Sequence, residues 1–326
     1  MISVLFYVDN DIRYGAGHIA RCCRLAKEFE KFGCKVTFSV STKFRPLSFL
    51  SELKSLDIRE SYDSCKYDLV VIDNYNLSAE QHKNFYTQTN KILVLDDLCN
   101  RKLSCDYLWD PTLTRKKNEY DGRLPSNCKL FLGGKFQIFS DQHVETVEKM
   151  KVESIMSKVA VHLYGGQALN SDLSELSKIL SRTFRVNVLG RMQRLSVTER
   201  ENMNIIEQSI NPIETFSDCR IGVGSPGNML WERGSIGVPS YVFMNNSNQE
   251  KICMDLRDSE FLVLGNNRKG FNLKTELKKI EYFFNDKKKI KQIHKNLLEN
   301  IDVNGKCRLV KNLLNDIVKP SEPLKL

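Results

Sequence analysis

The chain has 326 residues, 41% hydrophobic and 27% charged, which is enough for two compact globular cores. No apolar run approaches the ~20 residues of a spanning helix, so membrane insertion is not expected. The formal charge of +9 gathers largely in a lysine-rich stretch, 274–295, without zinc-finger spacing or RNA-binding aromatics, so a nucleic-acid partner is not expected either.

Ile2 to Val8 reads as a buried strand. No basic residue precedes it and Asp9 follows at once, which does not fit a signal peptide. Residues 9–17 are polar and small. His18 to Phe32 then carries a helical apolar face through Ile19, Cys22, Cys23, Leu25, Ala26 and Phe29. Gly33 ends that helix before a strand over Cys34 to Val40. Leu69 to Asp73 is a continuous apolar strand closed by an acid. A helix over Glu80 to Gln88 follows, then a strand over Ile92 to Leu95 before Asp96 and Asp97. Short strands are expected at Tyr107 to Trp109 and Leu130 to Leu132, with a polar loop over 111–125 between them.

The charged stretch 143–158 separates this half from a second cycle. A strand over Val159 to Tyr164 leads into a Gly165-Gly166-Gln167 loop, then a helix over Asp172 to Leu180 and a strand over Arg185 to Leu189. Ile205-Ile206 is a weaker strand, and Pro212 to Phe216 begins a short helix. A strand over Arg220 to Val223 runs into Gly224-Ser225-Pro226-Gly227 and a helix over Asn228 to Ser235. Strands over Val238 to Met244 and Phe261 to Leu264 complete the sheet, with a helix opening near Ser247 to Gln249. Helices over Leu273 to Phe284, Ile290 to Leu298 and Cys307 to Val318 end the chain. The alternation predicts an α/β protein of two similar halves, 1–145 and 146–300, with a helix and tail over 301–326. Ten cysteines lie scattered, with neither C-x-x-C pairs nor ligand-spaced clusters. Free thiols in a cytoplasmic protein follow, with no metal site.

Two glycine loops carry the chemistry. Gly15-Ala16-Gly17-His18 lies where a strand hands over to a helix, where glycine allows close ligand approach and free amides can meet an anion. Its spacing is that of neither a dinucleotide fingerprint nor a Walker loop. His18 at the helix start suits a neutral imidazole acting as general base, or a ring packed against the loop. Arg13 and Arg21 add positive charge nearby. Asp9, Asp73, Asp96 and Asp97 end apolar runs, where parallel sheets face their ligand crevice; turns and caps explain such acids as well. Asp73-Asn74-Tyr75 puts three polar groups in one loop. In the second half, Gly165-Gly166 and Gly224-Ser225-Pro226-Gly227-Asn228 are candidate diphosphate cradles. Glu232, about one turn into the following helix, could accept from both ribose hydroxyls or lie exposed beside Arg233. Asn248-Gln249 amides suit sugar hydroxyls, or a cap.

These blocks together resemble the UDP-sugar hydrolases of pseudaminic acid biosynthesis and related spore-coat polysaccharide proteins. The residues that carry the resemblance are Gly15 to Arg21, Asp73-Asn74-Tyr75, Leu95 to Leu98 with Asn100-Arg101 and Cys105-Asp106, Gly165-Gly166, Gly224 to Gly227 with Trp231-Glu232-Arg233, Gly237-Val238-Pro239 and Asn248-Gln249. More distantly, the second half resembles the nucleotide-binding half of the cell-wall UDP-N-acetylglucosamine transferase. The resemblance implies a glycosyltransferase-B-like fold, two Rossmann-type domains facing across a cleft. It also implies release of UDP from an amino or deoxy sugar, with water as acceptor. It puts the catalytic histidine on His18, the diphosphate loop on Gly224-Ser225, the ribose acid on Glu232 and the sugar-side polar pair on Asn248-Gln249. Asn74 stands where the family often has histidine, and Ala168 where it usually has an acid.

The site expected from these readings is therefore His18 as base, with Gly17, Arg21, Asp73, Tyr75, Asn248 and Gln249 around the sugar. Gly165, Gly166, Gly224, Ser225, Gly227, Asn228 and Glu232 would hold the nucleotide. The expected substrate is a UDP-sugar, with no cofactor and no metal. Transfer to a hydroxyl acceptor and noncatalytic nucleotide-sugar binding remain open, as does association with other enzymes of a sugar pathway.

Overall fold

A computed structural model describes residues 1–8, 17–40, 57–59, 66–150, 154–168, 171–191, 202–207, 209, 211–244, 250–266 and 271–318. The chain divides into two units, Met1–Ser140 with Val303–Leu326, and Asp141–Asp302.

The first unit holds β1 (Ser3–Val8), α1 (Gly17–Lys31), β2 (Lys35–Val40), β3 (Asp57–Arg59), β4 (Leu69–Asp73), α2 (Ala79–Asn84), β5 (Ile92–Leu95), β6 (Tyr107–Asp110) and β7 (Lys129–Leu132). Its sheet is parallel throughout, in the order β3-β2-β1-β4-β5-β6-β7. Parallel strands covered on both faces need continuous apolar runs, and Leu69–Asp73 and Ile92–Leu95 are buried at every position. Alternation along β1 divides the core: Val4, Phe6 and Val8 join the apolar face of α1, while Leu5 packs on the other side with Val70, Ile72 and Val94.

The second unit opens with α3 (Asp141–Lys149) and continues through β8 (Ala160–Ala168), α4 (Ser171–Leu180), β9 (Arg185–Arg191), β10 (Met203–Ile206), α5 (Ile213–Phe216) and β11 (Cys219–Gly224). Then come α6 (Asn228–Ser235), β12 (Ser240–Val242), α7 (Glu250–Asp258), β13 (Leu262–Leu264), α8 (Leu273–Asn285) and α9 (Lys287–Asn300). Its parallel sheet has the order β10-β9-β8-β11-β12-β13.

Three local expectations change. The 143–158 stretch, read as a charged separator, begins within α3, because His143 is buried and bonds Ser235 Oγ at 2.7 Å. Gly165 and Gly166 belong to β8 rather than to a loop; the strand runs to Ala168 with a register irregularity after Tyr164. The expected helix over 80–88 ends at Asn84 and tightens to a 3₁₀ turn over Phe85–Thr87, while Ser78 and Gln81 cap its start reciprocally.

The last helix, α10 (Gly305–Ile317), returns to the first unit. Leu309, Val310 and Leu313 enter the core beside α1, each contributing roughly 1.5–3 kcal/mol on the usual area scale. Gly305 lets the helix start against the chain, since a Cβ there would lie 2.4 Å from the Gln137 carbonyl oxygen.

Candidate functional site

In each sheet the strand order reverses beside the first strand: between β1 and β4, and between β8 and β11. Ligands of open α/β sheets bind outside the carboxyl ends of strands at such a switch point. The expected site residues within the described chain follow this rule. Asp73 ends β4 and is in register with Val8 of β1; Gly224 ends β11 and is in register with Tyr164 of β8.

At the first switch point, α1 begins at Gly17 with no acid in its first turn. Helical spacing sets His18, Arg21 and Cys22 on one face, and all three meet Asp73. His18 Nδ1 lies 2.5 Å from Asp73 Oδ1. Arg21 grips the same carboxylate with two bonds, Nε to Oδ2 and Nη2 to Oδ1, both 2.7 Å. The Cys22 thiol donates to Oδ2 at 3.3 Å. His18 is 6% exposed and Asp73 fully buried.

Burial alone would raise the Asp73 carboxyl, but Arg21 and His18 outweigh it and hold the group well below the usual carboxylate range. An ionised Asp73 only accepts, so Nδ1 of His18 donates to it. That tautomer places the ring's lone pair on Nε2. Arg21 Nη2, at 3.2 Å from Nδ1, spends its donor on Asp73.

Tyr75 and Asp97 extend the cluster. The His18 and Tyr75 rings meet edge to face at 4.6 Å. The Tyr75 hydroxyl donates to Asp97, whose other oxygen accepts from Arg21 Nη1 at 3.1 Å. Burial, with help from Asp97 and Asp73 against Arg21, holds the Tyr75 phenol far above its ordinary value, so it stays a donor. The Arg21 guanidinium lies 5.4 Å from the Trp109 ring centre. The adjacent acids part company here. Asp96 is fully buried and engaged by Arg101 at 2.5 Å and the Cys99 amide at 2.9 Å. Asp97 faces Arg21 and Tyr75. Asn74, at the position often held by histidine, accepts from the Asn76 amide at 2.8 Å and so shapes the turn that carries Tyr75.

At the second switch point, Gly224 has φ +153°, and a Cβ there would fall 1.8 Å from the Tyr164 carbonyl oxygen. The strand can therefore end this way only with glycine. Residues 225–227 then lead into α6, whose first turn holds no acid and whose N-cap, Gly227, supplies no side-chain cap. Ser225 is half-buried, while Gly227 and Asn228 are exposed. The first amides of a helix lack intrahelical partners and favour anions. Glu232 is 7% exposed, which corrects the reading of an exposed glutamate beside Arg233.

Gly165 and Gly166 lie in β8 beside this strand end. Asn248 and Gln249, with Asp9, Arg13, Gly15 and Ala16, fall outside the described residues. Sequence reasoning left Asp97 undistinguished from Asp96 and missed Trp109 and Cys22. The i, i+4 spacing of His18 and Cys22 was a usable signal for the last. Among the described residues, no group of three or more His, Cys, Asp or Glu side chains could hold a metal ion. No described helix is long and apolar enough to cross a membrane.

Two parallel sheets, each with polar or glycine-rich chemistry at its switch point, define an α/β protein of glycosyltransferase-B-like fold with two Rossmann-type domains. The structure is similar to that of MurG from Acinetobacter baumannii, with TM-score 0.68 and 10% identity over 96% of this chain and 99% of that one. It is also similar to UDP-GlcNAc 2-epimerase from Neisseria meningitidis bound to UDP-GlcNAc, with TM-score 0.61 and 14% identity over 96% and 100% of the two chains. In sequence, the chain is 26% identical over 153 residues to the UDP-2,4-diacetamido-2,4,6-trideoxy-beta-L-altropyranose hydrolase of Campylobacter jejuni. That match spans 45% of this chain and 56% of the relative's length. It supports the resemblance read from the motifs. No family model matches the chain.

Proposed function

We propose that this chain hydrolyses a UDP-linked amino or deoxy sugar by inverting attack of water at the anomeric carbon. The reading assigns the sugar and the chemistry to the first unit, through His18, Gly17, Arg21, Asp73 and Tyr75. It assigns UDP to the second, through Gly224, Ser225, Gly227, Asn228 and Glu232, with Gly165 and Gly166 alongside. Asn248 and Gln249 complete the sugar side.

The observation that carries the reading is the clamp on Asp73. Water attacks the anomeric carbon while Nε2 of His18 takes its proton. The carbon–oxygen bond to UDP breaks, and the electron pair leaves with the diphosphate. The imidazolium formed is stabilised by Asp73, which Arg21 keeps ionised. Amides at the start of α6 stabilise the charge growing on the leaving diphosphate. The Campylobacter relative's name is consistent with this reaction.

The test is a panel of UDP-sugars, with UDP and the released anomer followed together, with and without hydroxyl acceptors. UDP and an inverted free sugar in buffer alone are expected. Turnover only with an acceptor would make the protein a transferase. A changed sugar still joined to UDP would make it an isomerase. Binding without turnover of any donor would leave a noncatalytic nucleotide-sugar-binding protein.

A further inference from the structure

Arg233 sits on α6, immediately after Glu232, with its side chain fully buried. The surrounding residues make room for it. A Cβ on Gly222 would come within 2.5 Å of Arg233 Cδ and Nη1, so Gly222 is a glycine for the arginine's sake, as Gly224 is for the turn. In the next strand, His162 is in register with Gly222 and lies 3.4 Å from Arg233 Nη1 through Nδ1. The Thr215 hydroxyl donates to the Pro212 carbonyl at 2.6 Å and accepts from His162 Nε2 at 3.0 Å. Nδ1 therefore carries the lone pair that meets Arg233.

Among the described residues the charge of the guanidinium is offset only in part. Burial, together with Arg233, pushes His162 well below its ordinary value, so that ring is neutral. Burial raises the Cys219 thiol to about 12 and the Tyr164 phenol above its usual range, so both keep their protons. The Glu232 carboxylate, next to Arg233 in the chain, offsets part of that charge. Arg233 Nε and Nη2 find no hydrogen-bond partner among the described residues. Burial lowers Arg233 to about 10, partly offset by Cys219, Glu232 and Tyr164, so it remains a cation at neutral pH. A buried cation balanced only in part destabilises a fold unless something supplies the opposite charge.

We propose that Arg233 is a buried counter-charge for the diphosphate held at residues 225–227 and the start of α6. The inference rests on the reading of that loop as the nucleotide site. Arg233 makes no direct contact with the ligand; its charge acts through the poorly screened interior, adding to the field of the helix N-terminus. The unliganded protein therefore bears a destabilising charge that nucleotide binding neutralises.

The test compares the full chain with Arg233→Met, a variant of similar length without the charge. Calorimetry measures UDP, inorganic pyrophosphate and uridine, and denaturation measures stability without ligand. Arg233→Met is expected to be at least as stable as the parent without ligand, and to bind UDP and pyrophosphate on the order of tenfold more weakly. Uridine affinity should not change. The parent's folded-state value lies below the unfolded 12.5, so its charge penalty is relieved as pH rises from about 10 toward 12.5, and the stability gap to the variant should close there.

Equal UDP and pyrophosphate binding by the two proteins overturns the counter-charge alone. So does a variant that fails to fold, is less stable without ligand, or loses uridine in the same proportion as UDP. If the parent binds neither UDP nor pyrophosphate, the nucleotide reading of the loop falls first and the counter-charge with it.

Discussion

The two sheets place chemistry at the same topological point and handle charge in opposite ways. At the β1/β4 switch, Asp73 is shared among His18, Arg21 and Cys22, so the cluster is balanced before any ligand arrives. At the β8/β11 switch, backbone amides, a glycine turn and a buried Arg233 are offered with no acid in the first turn of α6. Proton transfer needs a base of fixed tautomer, which internal pairing supplies. Retention of an anion needs positive potential left unspent, which internal pairing would remove.

His18→Asn strikes the balanced side hardest. Turnover should fall by roughly 10²–10⁴-fold, the usual span for a general base, while UDP binding measured by calorimetry stays intact. Unchanged turnover would remove His18 from the chemistry.

Asp73→Asn should come next. It leaves Arg21 with a buried charge that Asp97 compensates only in part, costing about 3–5 kcal/mol in urea denaturation. It should also change the acid limb of stability. The folded carboxyl lies below its unfolded value of about 3.9. Its contribution is therefore full above that pH and is lost as pH falls toward the folded value. The variant should lack that slope, and identical acid profiles would deny the clamp its energetic role.

On the other side, Gly224→Ala brings a Cβ to 1.8 Å from the Tyr164 oxygen at φ +153°. Backbone strain alone should cost about 1–3 kcal/mol, and UDP affinity should collapse while the His18 cluster persists. Retained UDP affinity would separate the loop from the nucleotide.

The smallest effect expected is at Glu232. Glu232→Gln should reduce the preference for UDP over its 2′-deoxy analogue from about tenfold to near unity, the loss of one charge-assisted hydrogen bond. An unchanged preference would free Glu232 from the ribose.

Much of this was legible without coordinates. Buried parallel strands announce themselves as apolar runs, so β1, β4, β5 and β11 stand within a residue or so of their expected ends. Helix α6 coincides with the expected Asn228 to Ser235. Short or polar elements did not show. β3, three residues long, lies in a segment of weak periodicity, and α3 is hidden by its charges until His143 finds Ser235. Gly165 and Gly166 illustrate the reverse error: glycine does not by itself mark a turn, and these two extend β8.

The residue order alone determined the two α/β cycles, the acids Asp73 and Asp96 at strand ends and the glycine turn after β11, because periodicity and turn chemistry are local. Tertiary structure decided which acid does what. Asp73 rather than Asp96 meets His18 because sheet order brings β4, not β5, beside β1. It likewise decided that Arg233 is buried beside a neutral His162, since no local pattern reveals whether a charge will find a partner.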